Sequence, residues 1–263
     1  MSLLADAGVL GNREVAPGYF RLALYAPEIA GVAVPGQFVH VRCGPLLDPL
    51  LRRPLSIYDV DRQSGRLYLL YRLTGRGTAL LAGNKAGATV NLMGPLGHGF
   101  TLPIPPADAL VVGGGIGIAP LFYLVKELAD AGNQIMFLGG FRTASEIVAV
   151  KEMENLGVEV ALATDDGSLG YQGPVTELLE KYIAGRAYSF CYACGPRPML
   201  QKVAEIITLA GVPGEVSLEE RMGCGVGACL ACACKTRSRE GDGFCYSHVC
   251  IDGPVFSAGE VVW

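Results

Sequence analysis

Apolar residues recur through the first hundred positions in short runs, at 20–24, 37–42, 66–72 and 89–93, each fenced by Gly- and Pro-rich turns. Runs of that length, separated by turn residues, predict the strands of a small antiparallel barrel. The stretch Gly94-Pro-Leu-Gly-His-Gly-Phe100 closes the barrel, and Pro103, Pro105 and Pro106 predict a linker. From residue 107 the rhythm changes. Apolar strands at 109–112, 135–139, 158–164 and 189–193 alternate with helical periodicity over 121–131, 145–155, 174–182 and 198–210. Such alternation predicts a doubly wound parallel sheet with ligands at the carboxyl ends of its strands. The remainder is a small cysteine-bearing module. The expected fold is therefore multi-domain, β plus α/β: a barrel over 1–100, a nucleotide-binding sheet over 101–211 and a C-terminal subdomain over 212–263. There is no internal repeat and no low-complexity tract.

The 17 residues of 109–125 are uncharged and mostly apolar, close to the shortest membrane span. Gly113, Gly114, Gly115, Gly117 and Pro120 interrupt them, however. A strand, a glycine turn and a helix opening near Pro120 suit the stretch better, because Pro fits a first helical turn and disrupts a helix interior. No transmembrane segment is expected.

Composition narrows the class. Hydrophobic residues make up 51% and charged residues 17% of the 263, a globular and rather apolar chain with enough non-polar surface to suggest a permanent partner. A net charge of −4 with no basic patch excludes a nucleic-acid partner. The first residues, Met1-Ser-Leu-Leu-Ala-Asp-Ala-Gly8, lack a basic segment followed by an apolar one, so a secretory signal is not expected and the location reads as cytoplasmic.

The most specific chemistry lies near the C-terminus. Cys224, Cys229 and Cys232 have four and then two residues between them, with Gly223, Gly225 and Gly227 interleaved and Cys245 and Cys250 farther on. This is the plant-type spacing for a [2Fe–2S] cluster, with three thiolates from a tight loop and the fourth from a distant segment. Structural zinc would favour two Cys-x-x-Cys pairs, and disulfides an oxidising compartment. Cys245 lies 13 and Cys250 18 positions after Cys232, and spacing alone leaves the fourth ligand open between them. Cys250 directly precedes Ile251-Asp-Gly-Pro254, a turn able to fix the chain after ligation, whereas Cys245 follows the Gly241-Asp-Gly243 excursion. Cys234 reads as structural.

Three further motifs fit a flavin. Arg53, Pro54, Leu55 and Ser56 set a cation and a hydroxyl three residues apart in an extended segment, able to meet a pyrophosphate and a flavin ring. Leu70, Tyr71 and Arg72 offer an aromatic face and a cation, and Gly77 and Thr78 open a helix whose N–H groups suit a phosphate. In the second module, the glycines of Val112-Gly-Gly-Gly-Ile-Gly-Ile-Ala-Pro120 follow a strand and precede a helix, as a phosphate-binding turn requires, although the spacing is not that of an ordinary dehydrogenase. Cys194, before Gly195-Pro196, ends another strand and could border a nicotinamide, or could simply be a buried thiol. Asp165 and Asp166 follow the 158–164 strand. Carboxylates there suit ribose hydroxyls and repel a 2′-phosphate, favouring NAD over NADP, though Asp-Gly is also common turn chemistry.

Taken together, Arg53 to Ser56, the glycine turn and Cys194-Gly-Pro196 resemble the ferredoxin–NADP reductase superfamily. With the cysteine loop and Val249-Cys-Ile-Asp-Gly-Pro-Val-Phe256 added, nearly the whole chain resembles the electron transfer subunits of type-B dihydroorotate dehydrogenases. That resemblance implies FAD on the three barrel motifs and a [2Fe–2S] cluster on Cys224, Cys229, Cys232 and Cys250. It also implies NAD as exchangeable acceptor, with Ser56 and Cys194 beside the reacting atoms. An FMN-containing catalytic subunit that oxidises dihydroorotate would be the partner, two copies of each chain assembling, with electrons passing from FMN through the cluster and FAD to NAD. A flavin is needed between a two-electron nicotinamide and a one-electron cluster. Two alternatives are a reductase subunit of another complex, sulfhydrogenase or ferredoxin-coupled, and a zinc-stabilised interaction protein.

Overall fold

The computed structural model describes residues 3–44, 48–103, 107–238 and 243–263. Pro105 and Pro106 of the expected linker, Gly241 and Asp242 of the excursion and the first two residues lie outside the described residues. The chain opens with β1 (Leu3–Ala16), β2 (Tyr19–Tyr25), α1 (Pro27–Val32), β3 (Phe38–Val41), β4 (Arg53–Asp61), β5 (Arg66–Arg72), α2 (Arg76–Ala82) and β6 (Thr89–Leu96). The six strands close an antiparallel barrel in the order β1-β2-β5-β4-β3-β6. Strand alternation explains its core: Leu67, Leu69 and Tyr71 of β5 and Val90 and Leu92 of β6 point inward, while Leu70 faces outward and is buried against the second module. The apolar-run pattern did not mark β1 or β4. In β1 the apolar residues are interrupted by Asp6, Gly8 and Gly11, the strand is bulged at Val9/Gly11 and Glu14/Ala16, and it pairs with β2 on one side and β6 on the other.

The second module runs β7 (Asp108–Gly114), α3 (Ile118–Asp130), β8 (Gln134–Phe141), α4 (Val150–Glu154), β9 (Glu159–Thr164), β10 (Tyr171–Gln172), α5 (Val175–Gly185), β11 (Phe190–Cys194), α6 (Arg197–Leu209) and β12 (Gly214–Ser217). The 109–125 segment is thus a strand, a turn and the start of a 13-residue helix. Among the described residues no helix is long and apolar enough to cross a membrane. The helix expected over 145–155 shrinks to the five residues of α4, because Ala149 takes a left-handed conformation (φ 64°) that breaks the helical path ahead of it.

After β12 come β13 (Ala233–Arg237), β14 (Phe244–His248) and β15 (Val255–Ser257). The large sheet has the order β10-β9-β8-β7-β11-β12-β15, parallel except for β15. It therefore continues past residue 211, where the sequence reading placed a boundary. β12 and β15 belong to the sheet, and the cysteine loop with the β13–β14 hairpin is threaded between them. The chain leaves β7 toward β8 on one side and later returns to β11 on the other, so the switch point lies between β7 and β11.

Barrel and sheet are bolted together by α3. The Tyr58 ring of β4 stacks on Phe122 at 4.5 Å, and Lys126 Nζ lies 2.8 Å from Asp59 Oδ1. From α4, Glu152 accepts from Arg21 (2.6 Å) and from the Tyr58 hydroxyl (2.6 Å).

Candidate functional site

A cavity of about 270 Å³ opens where β4 and β5 meet the β7–α3 turn. Arg53, Pro54, Leu55, Ser56, Leu70, Tyr71, Arg72 and Thr78 line it, facing Ile116, Ala119, Ser217 and Met222 from the other modules. The three sequence motifs thus converge although 25 positions separate Arg53 from Thr78. Gly77 stands just behind: a Cβ there would come within 2.8 Å of Arg53 Nε, so the glycine lets the guanidinium cross the start of α2. The Thr78 hydroxyl accepts from the N–H groups of Thr74 (3.0 Å) and Gly75 (3.2 Å), which makes it a helix cap first. Tyr71 borders the cavity from the barrel side, with its ring buried and stacked on Phe20 at 5.7 Å and its hydroxyl donating to Asn12 Oδ1 at 3.1 Å.

A second cleft, of about 440 Å³, lies at the carboxyl ends of β7, β8, β9 and β11. Gly114, Gly115 and Gly117 form one wall, Asp165 another, and Gly195 with Pro196 a third. At Gly117 a Cβ would lie 2.5 Å from the Cys194 carbonyl oxygen, so the turn can press against β11 only with glycine there. Two expected residues do not reach the cleft. Gly113 lies within β7 beneath Phe137, and the Cys194 side chain is 1% exposed, its thiol pushed up by burial and by the Glu219 carboxylate. The residues after it, Gly195 and Pro196, meet the cleft instead.

The adjacent aspartates divide the roles that sequence left undecided. Asp165 faces the cleft. Asp166 accepts from the Ser168 N–H at 3.0 Å and serves the turn, its carboxyl held below the usual range by the Ser168 hydroxyl and N–H.

Arg72, Ile116, Leu218, Glu219 and Glu220 border both cavities, which therefore share a wall. Sequence reasoning missed Glu219. No motif marks it; only its place just after β12, at the switch-point end of the sheet, could have. The cavities give water access to its side chain, yet the protein packed around the carboxyl desolvates it and raises its pKa above the ordinary carboxylate value. Glu220 is instead paired with Arg197 at 3.0 Å.

The cysteine loop follows at once, starting beside Met222 in the wall of the first cavity. The N–H groups of Val226, Ala228 and Cys229 point at Cys224 Sγ from 3.4, 3.2 and 3.3 Å, and Gly227 N–H points at Cys250 Sγ from 3.2 Å. Burial opposes ionisation of Cys224, but these N–H groups outweigh it and hold the thiol down at about 7. Burial and the neighbouring Cys232 push Cys250 up to about 12. The thiols stand in two pairs, Cys224 with Cys229 and Cys232 with Cys250. Among the described residues no three Cys, His, Asp or Glu side chains converge on a single ion. Two thiol pairs suit a two-iron core, in which each iron takes two thiolates, and the inward N–H groups suit its negative sulfurs. The structure brings Cys250 to this set. Cys245 stays on β14 opposite Thr236, whose hydroxyl lies 3.2 Å from its sulfur, and Cys234 is buried on β13.

Comparison with known proteins agrees with this geometry. Residues 219–262 match the iron–sulfur cluster binding domain of dihydroorotate dehydrogenase B, and residues 111–205 match an oxidoreductase NAD-binding domain. The dihydroorotate dehydrogenase B (NAD(+)) electron transfer subunit of Desulforamulus reducens is 49% identical over 263 residues, covering 100% of both chains. That of Geobacillus thermodenitrificans is 46% identical, covering 97% of this chain and 96% of its own. The chain belongs to the dihydroorotate dehydrogenase B electron transfer subunit family. It is accordingly an oxidoreductase subunit. Among solved structures, an NADH-dependent reduced ferredoxin–NADP oxidoreductase is similar to this family member at a TM-score of 0.87 and 31% identity, covering 98% of this chain and 90% of that one. A ferredoxin NADP+ reductase from Neisseria gonorrhoeae, at 0.65 and 19%, covers 79% of this chain and 92% of its own and shares the barrel-and-sheet fold.

Proposed function

We propose that the chain serves dihydroorotate oxidation in pyrimidine biosynthesis, receiving electrons from an FMN-containing catalytic subunit and delivering them to NAD, two copies of each chain assembling in the cytoplasm. The observation that carries this reading is the contiguity of three sites: the cysteine loop adjoins the first cavity through Met222, and that cavity shares Arg72, Ile116 and Glu219 with the nucleotide cleft. When bound, FAD and a [2Fe–2S] cluster supply the exchange between one-electron and two-electron carriers. The residues' task is placement. Arg53 and Arg72 neutralise phosphate charge, Ser56 offers a hydroxyl to the flavin ring, and Gly114, Gly115 and Gly117 let a dinucleotide approach the backbone. Asp165 receives ribose hydroxyls. Cys194 acts through its main chain, fixing the Gly195-Pro196 turn against Gly117. Cys224, Cys229, Cys232 and Cys250 hold the iron. The barrel over 1–100, the nucleotide segment over 101–211 and the cluster segment over 212–263 keep separate ligands, the last two sharing one sheet.

Co-purification with the catalytic subunit, cofactor analysis and an assay of dihydroorotate-dependent NAD reduction test this reading. One FAD and one two-iron cluster per chain with NAD reduction are expected; zinc in place of iron, or no NAD reduction by a fully loaded complex, overturns it. The 31% identity to a bifurcating oxidoreductase supports a second reading, a ferredoxin-coupled reductase subunit. Reduced ferredoxin replacing dihydroorotate in the same assay would favour it.

A further inference from the structure

His40 of β3 is fully buried, and neither Nδ1 nor Nε2 finds a hydrogen-bond partner among the described residues. A buried polar pair without partners is costly unless something else satisfies it. The ring's surroundings say what that is. On one side it meets Phe38 edge-on, centroids 6.0 Å apart, and Phe38 lines the flavin cavity. On the other it lies directly under the cysteine loop: a Cβ on Gly225 would fall 2.9 Å from Nδ1 and 3.0 Å from Cε1. Gly225 has a φ of +75° and directly follows Cys224, so the loop folds down onto the imidazole where a side chain would not fit.

We infer that the His40 imidazole donates its N–H to a sulfur of the [2Fe–2S] cluster, a bridging sulfide or a thiolate, and thereby sets the cluster's reduction potential. An imidazole carries at least one N–H in either protonation state, and here neither ring nitrogen is otherwise engaged among the described residues. A donor to sulfur stabilises the more negative, reduced state of the cluster and raises its potential. His40 is thus a positioning and tuning residue rather than a ligand, and it couples the barrel to the cluster. The inference rests on the cluster assignment above.

Two measurements on the intact FAD- and iron-loaded chain test it. In spectroelectrochemical titration, His40→Leu should retain iron and flavin yet lower the cluster potential, while His40→Asn, which keeps an N–H near the Nδ1 position, should restore much of it. An unchanged potential in a fully loaded His40→Leu protein overturns the inference. In case His40→Leu does not fold, pulsed EPR on the reduced wild-type chain labelled with ¹⁵N-histidine should show a histidine nitrogen coupled to the cluster. The chain has three histidines, and His248 lies two positions from Cys250, so His248→Gln serves as control. A coupling lost with His248, or no coupling at all, overturns the inference. A preparation without a two-iron signal overturns the cluster assignment itself, and the two failures are thereby distinguished.

Discussion

Asp165 and Asp166 are chemically alike and adjacent, yet one faces the nucleotide cleft and the other closes a turn through Ser168. Replacing the cleft carboxylate should therefore change cofactor choice, and replacing its neighbour should not. Asp165→Ser is expected to raise kcat/KM for NADPH relative to NADH by roughly tenfold, about 1.4 kcal/mol of discrimination, with Asp166→Ser leaving the ratio within about twofold. An artificial electron acceptor suffices for the assay. The same logic separates two cysteines. Cys250 Sγ receives the Gly227 N–H and lies against Cys232, whereas Cys245 touches Thr236 on an exposed strand. Cys250→Ser should strip or severely weaken the cluster, and Cys245→Ser should leave iron content and visible spectrum intact. Spacing left this pair undecided because either loop length can return to a metal. It is the β13–β14 register, invisible in a cysteine count, that places Cys245 opposite Thr236.

At the scale of elements, short apolar runs between Gly- and Pro-rich turns marked β2, β3, β5 and β6, and the strand–helix rhythm marked the central sheet. β1 escaped because glycines, Asp6 and two bulges interrupt its apolar residues, although Ala7 and Val9 reach the barrel core, and α4 is short because Ala149 breaks the path to it. The three barrel motifs that converge on one cavity could be picked out in sequence, since each carries its own local chemistry. Glu219 could not, because its importance comes from two cavities meeting. Most revealing is the turn between β7 and α3. Gly117 faces the Cys194 carbonyl so closely that Gly117→Ala must push the turn off β11. A loss of about 1–3 kcal/mol in stability is expected for such overpacking, together with a raised KM for NADH. Urea titration and steady-state kinetics measure the two effects separately.

Across the whole molecule, the barrel–sheet contact depends on a buried polar cluster as well as on α3. Tyr58 is 3% exposed and its hydroxyl gives its hydrogen to Glu152, whose carboxylate also holds Arg21. Burial, with that acceptor, keeps the phenol pKa far above its usual value. Glu152→Ala would leave the Tyr58 hydroxyl without an acceptor, at a cost of about 1–3 kcal/mol. Calorimetry should show a lower Tm, and NAD reduction should fall because this joint holds the barrel against the module that carries the nucleotide cleft. None of this cluster was legible from sequence, since its members come from β2, β4 and α4. The threading of the cysteine loop between β12 and β15 carries one more consequence. The fourth thiol and the outermost strand of the sheet follow every other part of the site in chain order. With the proposed ligand set, iron retention therefore depends on the last segment of the chain being made. A chain stopped after β14 is expected to emerge iron-free, with the open edge of β12 prone to aggregation.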